Sequence, residues 1–444
     1  MSTPAHRPPA LRTRAARRAD VEALAALGQL AYRVSSLEQR LDFYTDHPRF
    51  GLRDVRVAEL DRRIVASLVL YPLTAWVRGR RVPLAGVGSV AVSPEHRRQG
   101  VGEALLRAAL RELRRGGRGL SALYAFRGSY YRKLGYGTVE VVHQLAVGPA
   151  NLPLHPERRA VRRLRDADRP AVEALYARAA AAGHFALERG ADWWARRLWD
   201  YPGDWVVYAG AGGRLEGYLH YEMDTTHGAF RLGMTLGEFV AVTPAARRGL
   251  VGHLASLADQ VSEIHHAAPA DNLWLATLRT AQNLRPGAEM GVLLDTGGVA
   301  HGAMLRVTDV RAAFEGLPVA PRSRGEVVLV VDDPVLPQNA LAWRVTARAG
   351  GLRVAPAGAR RGGRGPRLTV PADLLGPLLG LADIALAGGM DNDGSREPPD
   401  PRGGRRPVGA LVAHWASRSP LRFTKARTAS TADNSTMRPK PRAG

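Results

Sequence analysis

The 444-residue chain contains no cysteine. This absence excludes disulfide bonds, thiolate catalysis and cysteine-ligated zinc, and it favours a cytoplasmic protein. No stretch of about eighteen apolar residues is free of charge, so we predict no transmembrane helix. The first twenty residues carry arginines but no apolar core, and we do not expect them to be a secretory signal. Nothing in the sequence predicts a metal site.

Acidic residues are scarce relative to basic ones. Lys and Arg together number 63 against 41 Asp and Glu, which gives a formal net charge of +22. Such a charge is typical of nucleic-acid-binding proteins. However, arginine is spread along the whole chain, and no homeodomain, zinc-finger or RNP pattern occurs. We therefore expect no nucleic-acid partner, and the charge favours an anionic partner such as a phosphorylated cofactor.

Residues 1–150 have the pattern of one α/β unit. The pattern predicts, in order, a strand, a helix, three antiparallel strands, a helix, a strand, a short helix and a final strand over 138–147. Turns are expected at Asp61–Arg63 and near Gly79, and the long helix should end at Gly116 and Gly117. This unit is expected to end near residue 150.

An internal repeat indicates a second, diverged copy of this unit over residues 151–303. The segment "VAVTPAARRGL" aligns with "VAVSPEHRRQG", so that Pro244 matches Pro94 and Leu250 matches Gly100. From about Met304 the pattern changes to a smaller α+β unit, which we expect over residues 304–424. Residues 425–444 are polar and basic without apolar periodicity, and we expect them to be disordered.

The segment "VAVSPEHRRQGVGEALL", residues 90–106, combines a strand, a basic turn with two glycines and a helix start. Backbone amides at a helix N-terminus are unpaired, and the helix dipole adds positive charge there. Glycine lets an anion approach the backbone closely, so this arrangement suits a phosphate. It is neither a Walker A loop nor a dinucleotide-binding fingerprint. Taken alone, an ordinary helix start with solvated arginines explains it equally well.

The segment resembles the pyrophosphate-binding motif of the GNAT acetyltransferases, a strand followed by R/Q-x-x-G-x-G/A. The resemblance implies acetyl-CoA as co-substrate and no metal. It also implies that the strand before the turn is splayed from its neighbour and pairs with the pantetheine arm. The residues expected at the cofactor are Val90, Ala91, Val92, Arg97, Arg98, Gln99, Gly100, Val101, Gly102, Glu103, Phe126 and Arg127.

Together with the repeat and the third unit, "ALYAFRGSYYRKLGYG" resembles the Eis family of N-acetyltransferases. This implies an α/β (α+β) fold of two tandem GNAT units, each with a mixed, splayed central sheet, followed by a unit similar to sterol carrier proteins. The first unit would be catalytic and the second would bind no cofactor. The implied acceptors are amines of small molecules, such as aminoglycosides and polyamines, or lysines. The family also implies a homo-oligomer, with the hexamer as its form.

Tyr131 occupies the position of the family's general acid. A phenol with a pKa near 10 is a suitable proton donor to a departing thiolate. Tyr130 is a local rival, and Tyr136 is expected to serve packing. Phe126 and Arg127 follow the strand that borders the cofactor, although Phe126 also fits a plain core position.

The general base stays open at this stage. Family members use the chain's own terminal carboxylate, and "WASRSPLRF", residues 415–423, resembles their final segment, but this chain continues to Gly444. The terminal carboxylate, a side-chain carboxylate or a water molecule would then accept the proton, or the extension would impair activity. Glu38, Asp42 and Asp46 are candidate acids of an acceptor pocket or else a solvated helix face. The competing function is a non-enzymatic ligand- or lipid-binding protein that uses the GNAT units as scaffold.

Overall fold

The computed structural model describes residues 11–32, 36–224, 232–269, 274, 278–279, 296–320, 322–358 and 366–387. Within this part of the chain, no helix combines the length and the apolar character that a membrane span requires. The segment 415–423 and the tail expected at 425–444 lie outside the described residues.

The strands of the described part are β1 (Arg12–Ala15), β2 (Val55–Leu60), β3 (Arg63–Val77), β4 (Arg80–Val92), β5 (Leu120–Tyr124), β6 (Gly137–Thr138), β7 (Val141–Val147), β8 (Val161–Arg163), β9 (Ala186–Leu187), β10 (Asp204–Ala209), β11 (Leu215–Asp224), β12 (Leu232–Ala241), β13 (Val261–Pro269), β14 (Gly297–His301), β15 (Ala303–Val307), β16 (Gly325–Asp332), β17 (Ala342–Arg348), β18 (Gly351–Pro356) and β19 (Arg367–Pro371). The helices are α1 (Val21–Ala31), α2 (Leu37–Thr45), α3 (Val101–Arg115), α4 (Gly128–Arg132), α5 (Arg169–Ala182), α6 (Ala191–Trp193), α7 (Pro244–Ala255), α8 (Val310–Phe314) and α9 (Ala372–Ala387).

The first sheet has the strand order β1-β2-β3-β4-β5-β15-β6, with β9 beside β3. Its first four strands are antiparallel, and the turns between β2, β3 and β4 fall where the sequence predicts them. Asp61 and Arg62 adopt positive φ in the first turn, and Arg78 and Gly79 do so in the second. The β4–β5 pair is parallel, so the sheet is mixed.

Helix α3 covers one face of this sheet. Its apolar residues recur at helical spacing, and Leu105, Leu106 and Leu110 are fully buried against β3 and β4. Burying each of these leucines contributes about 1.5–3 kcal/mol to folding. Gly116 and Gly117 end the helix, as predicted. This packing fixes the N-terminus of α3 at the carboxyl end of β4.

The first sheet splits between β4 and β5. These two strands pair only from Leu84 to Gly86, although β4 continues for six further residues. The register of β4 against β3 shifts at this point, and Ser89 lies in the bulge with φ of +48°. A bulge bends its strand, which directs β4 away from β5. The splayed central sheet that the resemblance implies is therefore confirmed.

The second sheet has the order β14-β7-β13-β12-β11-β10-β8, and helix α7 packs on it through buried Leu250, Val251 and Leu254. The third sheet has the order β18-β17-β16-β19 and four strands. The tandem arrangement of two mixed sheets is confirmed. The likeness of the third unit to sterol carrier proteins stays a prediction, as do the domain boundaries at 150 and 303.

Two strands lie in other sheets than the sequence suggests. Strand β7, expected to complete the first sheet, pairs with β13 and β14 in the second. Strand β15, expected in the third unit, lies between β5 and β6 in the first. The chain crosses between the two sheets just before β7 and again just before β15. At these crossings the Glu140 carboxylate accepts a hydrogen bond from the Ala303 amide at 2.7 Å. Sequence periodicity gives the strands but not their partners, because pairing depends on contacts far apart in the chain.

Candidate active site

The turn after β4 leads directly into an uncapped helix N-terminus. Gly100 is the N-cap residue of α3, with φ of +79°, and no side chain caps the helix there. Arg98 also adopts a positive φ, of +60°. The first amides of α3 therefore remain available to an anion, which is the arrangement that binds phosphate at helix ends.

Within the described part of the chain, some side chains of this turn have local hydrogen-bond partners and others have none. Arg97 donates through Nε to the Val92 carbonyl at 3.2 Å, and Gln99 donates to the Glu95 carbonyl at 2.8 Å. Glu103 accepts from Arg107 at 2.8 Å, and Val101 is buried under the helix. Arg98 and Gly100 are exposed at the turn itself. These two residues are therefore the best placed to meet an anion.

Among the described residues, no strand pairs with the end of β4 on the β5 side. Ala91 and Val92 pair with Ser67 and Ala66 of β3. The opposite edge faces the gap left by the split. The carbonyl of Val90 accepts a hydrogen bond from the Tyr32 hydroxyl at 2.9 Å. Burial raises the pKa of Tyr32 to about 12, so this hydroxyl keeps its proton. No pattern in the sequence indicates this contact.

Tyr131 lies in a cluster of aromatic rings. Its ring centre is 5.1 Å from that of Tyr130 and 5.8 Å from that of Phe126, with edge-to-face geometry in both cases. Tyr131 is 3% exposed, whereas Phe126 is 79% exposed and is therefore not a core residue. Arg127 is exposed beside it.

Burial raises the pKa of Tyr131 well above that of a free phenol, and the neighbouring Tyr32, Tyr130 and Tyr136 add to the shift. Its hydroxyl therefore carries a proton over the whole physiological range. Tyr32, the residue that directly follows α1, is therefore close to Tyr131 and is also bonded to Val90 of β4.

The two rival tyrosines differ from Tyr131 in their contacts. The Tyr136 hydroxyl is hydrogen-bonded to Ser121 at 2.8 Å inside the core, which fits the packing role expected for it. Tyr130 places its hydroxyl over the start of α3, because a Cβ added to Gly102 would lie 3.1 Å from it. Tyr130 is therefore next to the turn, and a side chain at position 102 would press against it.

The second copy of the motif has a different local structure. Pro244 begins α7, so Arg247, Arg248 and Leu250 lie inside the helix instead of in a turn. The Thr243 side chain caps this helix by accepting from the Ala246 amide at 3.1 Å. The alignment of Leu250 with Gly100 predicts a turn at this position, and that prediction is wrong, because the helix already begins at Pro244 and Leu250 is a core residue. The Thr-Pro pair before the helix is the sequence signal that would have shown this.

The candidate acids on α2 do not form a cluster. Glu38 and Asp42 are exposed, which fits a solvated helix face. Asp46 forms an exposed ion pair with Arg196. The residues considered for the terminal carboxylate lie outside the described part. In that part, no group of three or more His, Asp or Glu side chains is arranged to hold a metal ion.

Two cavities lie near the split. An apolar cavity of about 40 Å³ is lined by Gly86 and Ala122, the last paired residues of β4 and β5, and by Leu73 and Tyr124. A larger cleft of about 480 Å³ lies between β3 and the segment 188–193. Leu73 lines both spaces. The apex of the split is therefore adjacent to a cleft that is large enough for a small molecule.

Comparisons with known proteins agree with this geometry. Residues 12–139 and 186–307 each match a family described as an acetyltransferase (GNAT) domain. An uncharacterized N-acetyltransferase of Streptomyces coelicolor is 26% identical over 288 residues, which cover 62% of this chain and 66% of that protein. The N-acetyltransferase Eis of Mycobacterium bovis is 42% identical over 89 residues, 19% of this chain and 21% of that protein.

Among solved structures, Eis1 from Mycobacterium abscessus is similar, with a TM-score of 0.65 and 23% identity. That match covers 85% of this chain and 93% of the other. At this identity the likeness shows the fold alone. The sequence match, in turn, spans less than two thirds of the length of the Streptomyces relative.

Proposed function

We propose that this chain, which is an Eis-like member of the GNAT acetyltransferases, transfers the acetyl group of acetyl-CoA to an amine. The observation that carries the proposal is the split between β4 and β5, with the uncapped N-terminus of α3 after the one strand and the short helix of Tyr131 after the other. Such a split gives an extended thioester arm a backbone edge to pair with. The N-terminus of α3 would bind the phosphates at one end of this arm.

The first unit has residues that fit acetyl-CoA. Arg98 and the amides after Gly100 would hold the pyrophosphate, because Gly100 has no side chain and the helix has no other cap. Arg97, Gln99, Val101, Gly102 and Glu103 complete this turn, and the edge Val90–Val92 would pair with the pantetheine arm. Phe126 and Arg127 would flank the arm from the β5 side. When bound, acetyl-CoA supplies the activated acetyl group.

Tyr131 is the proposed general acid. Its burial keeps the hydroxyl protonated, so it can donate a hydrogen bond to the departing thiolate and pass its proton as the sulfur gains charge. The raised pKa keeps the hydroxyl protonated but makes it a weaker acid than a free phenol, so its contribution lies in the hydrogen bond that it donates as the sulfur gains charge. We propose no residue as general base.

The acceptor is proposed to be an amine of a small molecule or a lysine side chain, by resemblance to the Eis family. The same resemblance supports a homo-oligomer, with a hexamer as its form, and the cysteine-free sequence favours a cytoplasmic location. The second unit is proposed to bind no acetyl-CoA. Its support is the capped helix α7, which offers no free turn to a pyrophosphate.

Thiol release from acetyl-CoA, measured with polyamines, aminoglycosides and lysine peptides, tests the activity. We expect release with at least one of these amines. Calorimetric titration with CoA should give one site per chain, whereas two sites would contradict the role proposed for the second unit. No release with any amine and no CoA binding by a folded protein would overturn the proposal. Binding of lipid vesicles by the same protein would then favour the non-enzymatic alternative.

A further inference from the structure

The cleft of about 480 Å³ lies between two walls that come from distant parts of the chain. One wall is the segment Pro48–Arg49 after α2 together with Pro72–Thr74 of β3. The other is the segment from Glu188 to Trp193, which leads from β9 into α6. None of these residues belongs to the cofactor site described above.

Arg49 has an unpaired group in this cleft. Its guanidinium carbon lies 3.4 Å from the centre of the Trp193 ring, so the two planar groups are in close contact. Its Nη1 atom is buried and has no hydrogen-bond partner among the described residues. Burial and the nearby Arg189 lower the pKa of Arg49 to about 9, which leaves it charged at neutral pH.

The neighbouring charges do not neutralise Arg49. Arg189 forms a buried ion pair with Glu238 at 3.1 Å, which uses that carboxylate. Glu188 pairs with Arg81 at 2.6 Å, and Asp192 is exposed at the rim. No described carboxylate is among the groups that perturb Arg49. Arg49 is therefore a cation in this cleft without a counter-ion among the described residues.

A buried charge without a partner is unfavourable, and a ligand that supplies the opposite charge removes this cost. A guanidinium whose face is covered by an aromatic ring still has its edges free. Those edges present two parallel N–H groups, which match the two oxygens of a carboxylate. The geometry of Arg49 is thus suited to a planar anion.

We propose that the cleft binds the carboxylate group of a small molecule through Arg49, with Trp193 holding the guanidinium in position. Leu73 separates this cleft from the apolar cavity at the apex of the split. A molecule bound at Arg49 is therefore next to the proposed acetyl-transfer site. This inference rests on the proposed function. It identifies the acceptor as a small amine that also carries a carboxylate.

Matched pairs of ligands test the binding step without any turnover. Each pair consists of a linear amino acid and the amide of that amino acid, which differ only in the carboxylate. Calorimetric titration should show that the wild type binds the acid at least tenfold more tightly than the amide. Arg49→Gln should bind both equally. Arg53→Gln is the control, because Arg53 is highly exposed and lies four residues away, and it should keep the wild-type preference.

A second variant and a kinetic readout keep the test decisive. Arg49→Lys retains the positive charge but not the two parallel N–H groups. We expect this variant to fold and to keep only part of the preference for the acid over the amide. In thiol-release assays, Arg49→Gln should raise KM for amino-acid acceptors at least tenfold and change kcat less than twofold. Equal binding of acid and amide by the wild type, or an unchanged preference in Arg49→Gln, would overturn the inference. Binding without turnover would refute the acetyl transfer and leave the carboxylate site standing.

Discussion

The hydroxyl group of Tyr32 donates a hydrogen bond to the backbone carbonyl of Val90, with the two oxygen atoms 2.9 Å apart. This contact connects the end of α1 to the free edge of β4, at the place where the strand has left its neighbour. A carbonyl oxygen has two lone pairs, so the bond does not prevent a second donor from using Val90. Tyr32 therefore holds the free edge of β4 in position.

Replacing Tyr32 with Phe should weaken the binding of acetyl-CoA. One hydrogen bond contributes about 1 kcal/mol net, so we expect KM for acetyl-CoA to rise about fivefold while kcat changes little. Thiol-release kinetics at saturating amine measure both constants. A lower KM in Tyr32→Phe would mean that the hydroxyl competes with the cofactor for Val90.

Replacing Tyr131 with Phe should lower kcat by about 10²–10⁴-fold, the range expected for loss of a general acid. Binding of acetyl-CoA should stay close to that of the wild type, because the ring remains in its cluster. Tyr130→Phe is the matched control, since it removes a hydroxyl from the same short helix. Equal losses in the two variants would show that Tyr131 has no special role.

Gly100→Ala should weaken the binding of acetyl-CoA in addition to lowering the stability of the folded protein. A Cβ at a left-handed position costs roughly 1–2 kcal/mol, and here it would also stand where the pyrophosphate approaches. Gly117→Ala is the control at the other end of the same helix, because both glycines have positive φ and open space around a Cβ. Both variants should lose similar stability in urea unfolding, and only Gly100→Ala should raise KM for acetyl-CoA.

Asp333→Asn should destabilise the fold strongly. Asp333 accepts two hydrogen bonds of 2.7 Å from Arg306, and both side chains are 0% exposed. Breaking a buried ion pair at one partner costs about 3–5 kcal/mol, which urea unfolding would measure. Glu326→Gln breaks the more exposed pair with Arg344 and should cost about 1 kcal/mol or less. A small effect of Asp333→Asn would show that another group compensates Arg306.

His47 should make the protein less stable in acid. Burial, assisted by Arg197, Arg49 and Arg196, lowers the pKa of His47 to about 3, so the folded protein leaves it neutral. The unfolded chain takes up this proton near pH 6.5, and stability therefore falls as pH decreases from about 6.5 towards 3. His47→Phe should reduce the slope of the unfolding free energy against pH by up to about 1.4 kcal/mol per pH unit in this window. Unfolding free energies at pH 7, 6 and 5 give the comparison, and equal slopes in both proteins would contradict it.

Features set by neighbouring residues could be predicted from the sequence. The turns near Asp61 and Gly79 and the end of α3 at Gly116 depend on local backbone preferences. Gly100 at the start of α3 could likewise be identified from the residues around it. The splayed strand was expected only through the resemblance to GNAT proteins, because the bulge at Ser89 has no local signature.

Features set by distant contacts could not be predicted. The Tyr32–Val90 bond joins residues 58 positions apart, and nothing in the spacing of Tyr32 indicates it. Arg49 and Trp193 come from different units of the chain, so their contact depends on how the sheets pack. The helix at Pro244 was predictable in principle from its Thr-Pro start, but the aligned repeat favoured the wrong local structure.

The exchange of β7 and β15 has a consequence for how such a duplicated gene can change. Strand β15 follows every strand of the second sheet in the chain but lies between β5 and β6 of the first sheet, with Glu140 at the crossing. A deletion or fission that separated the two halves would leave both with an open edge and a missing strand. The first sheet is therefore complete only in a chain that also contains the second.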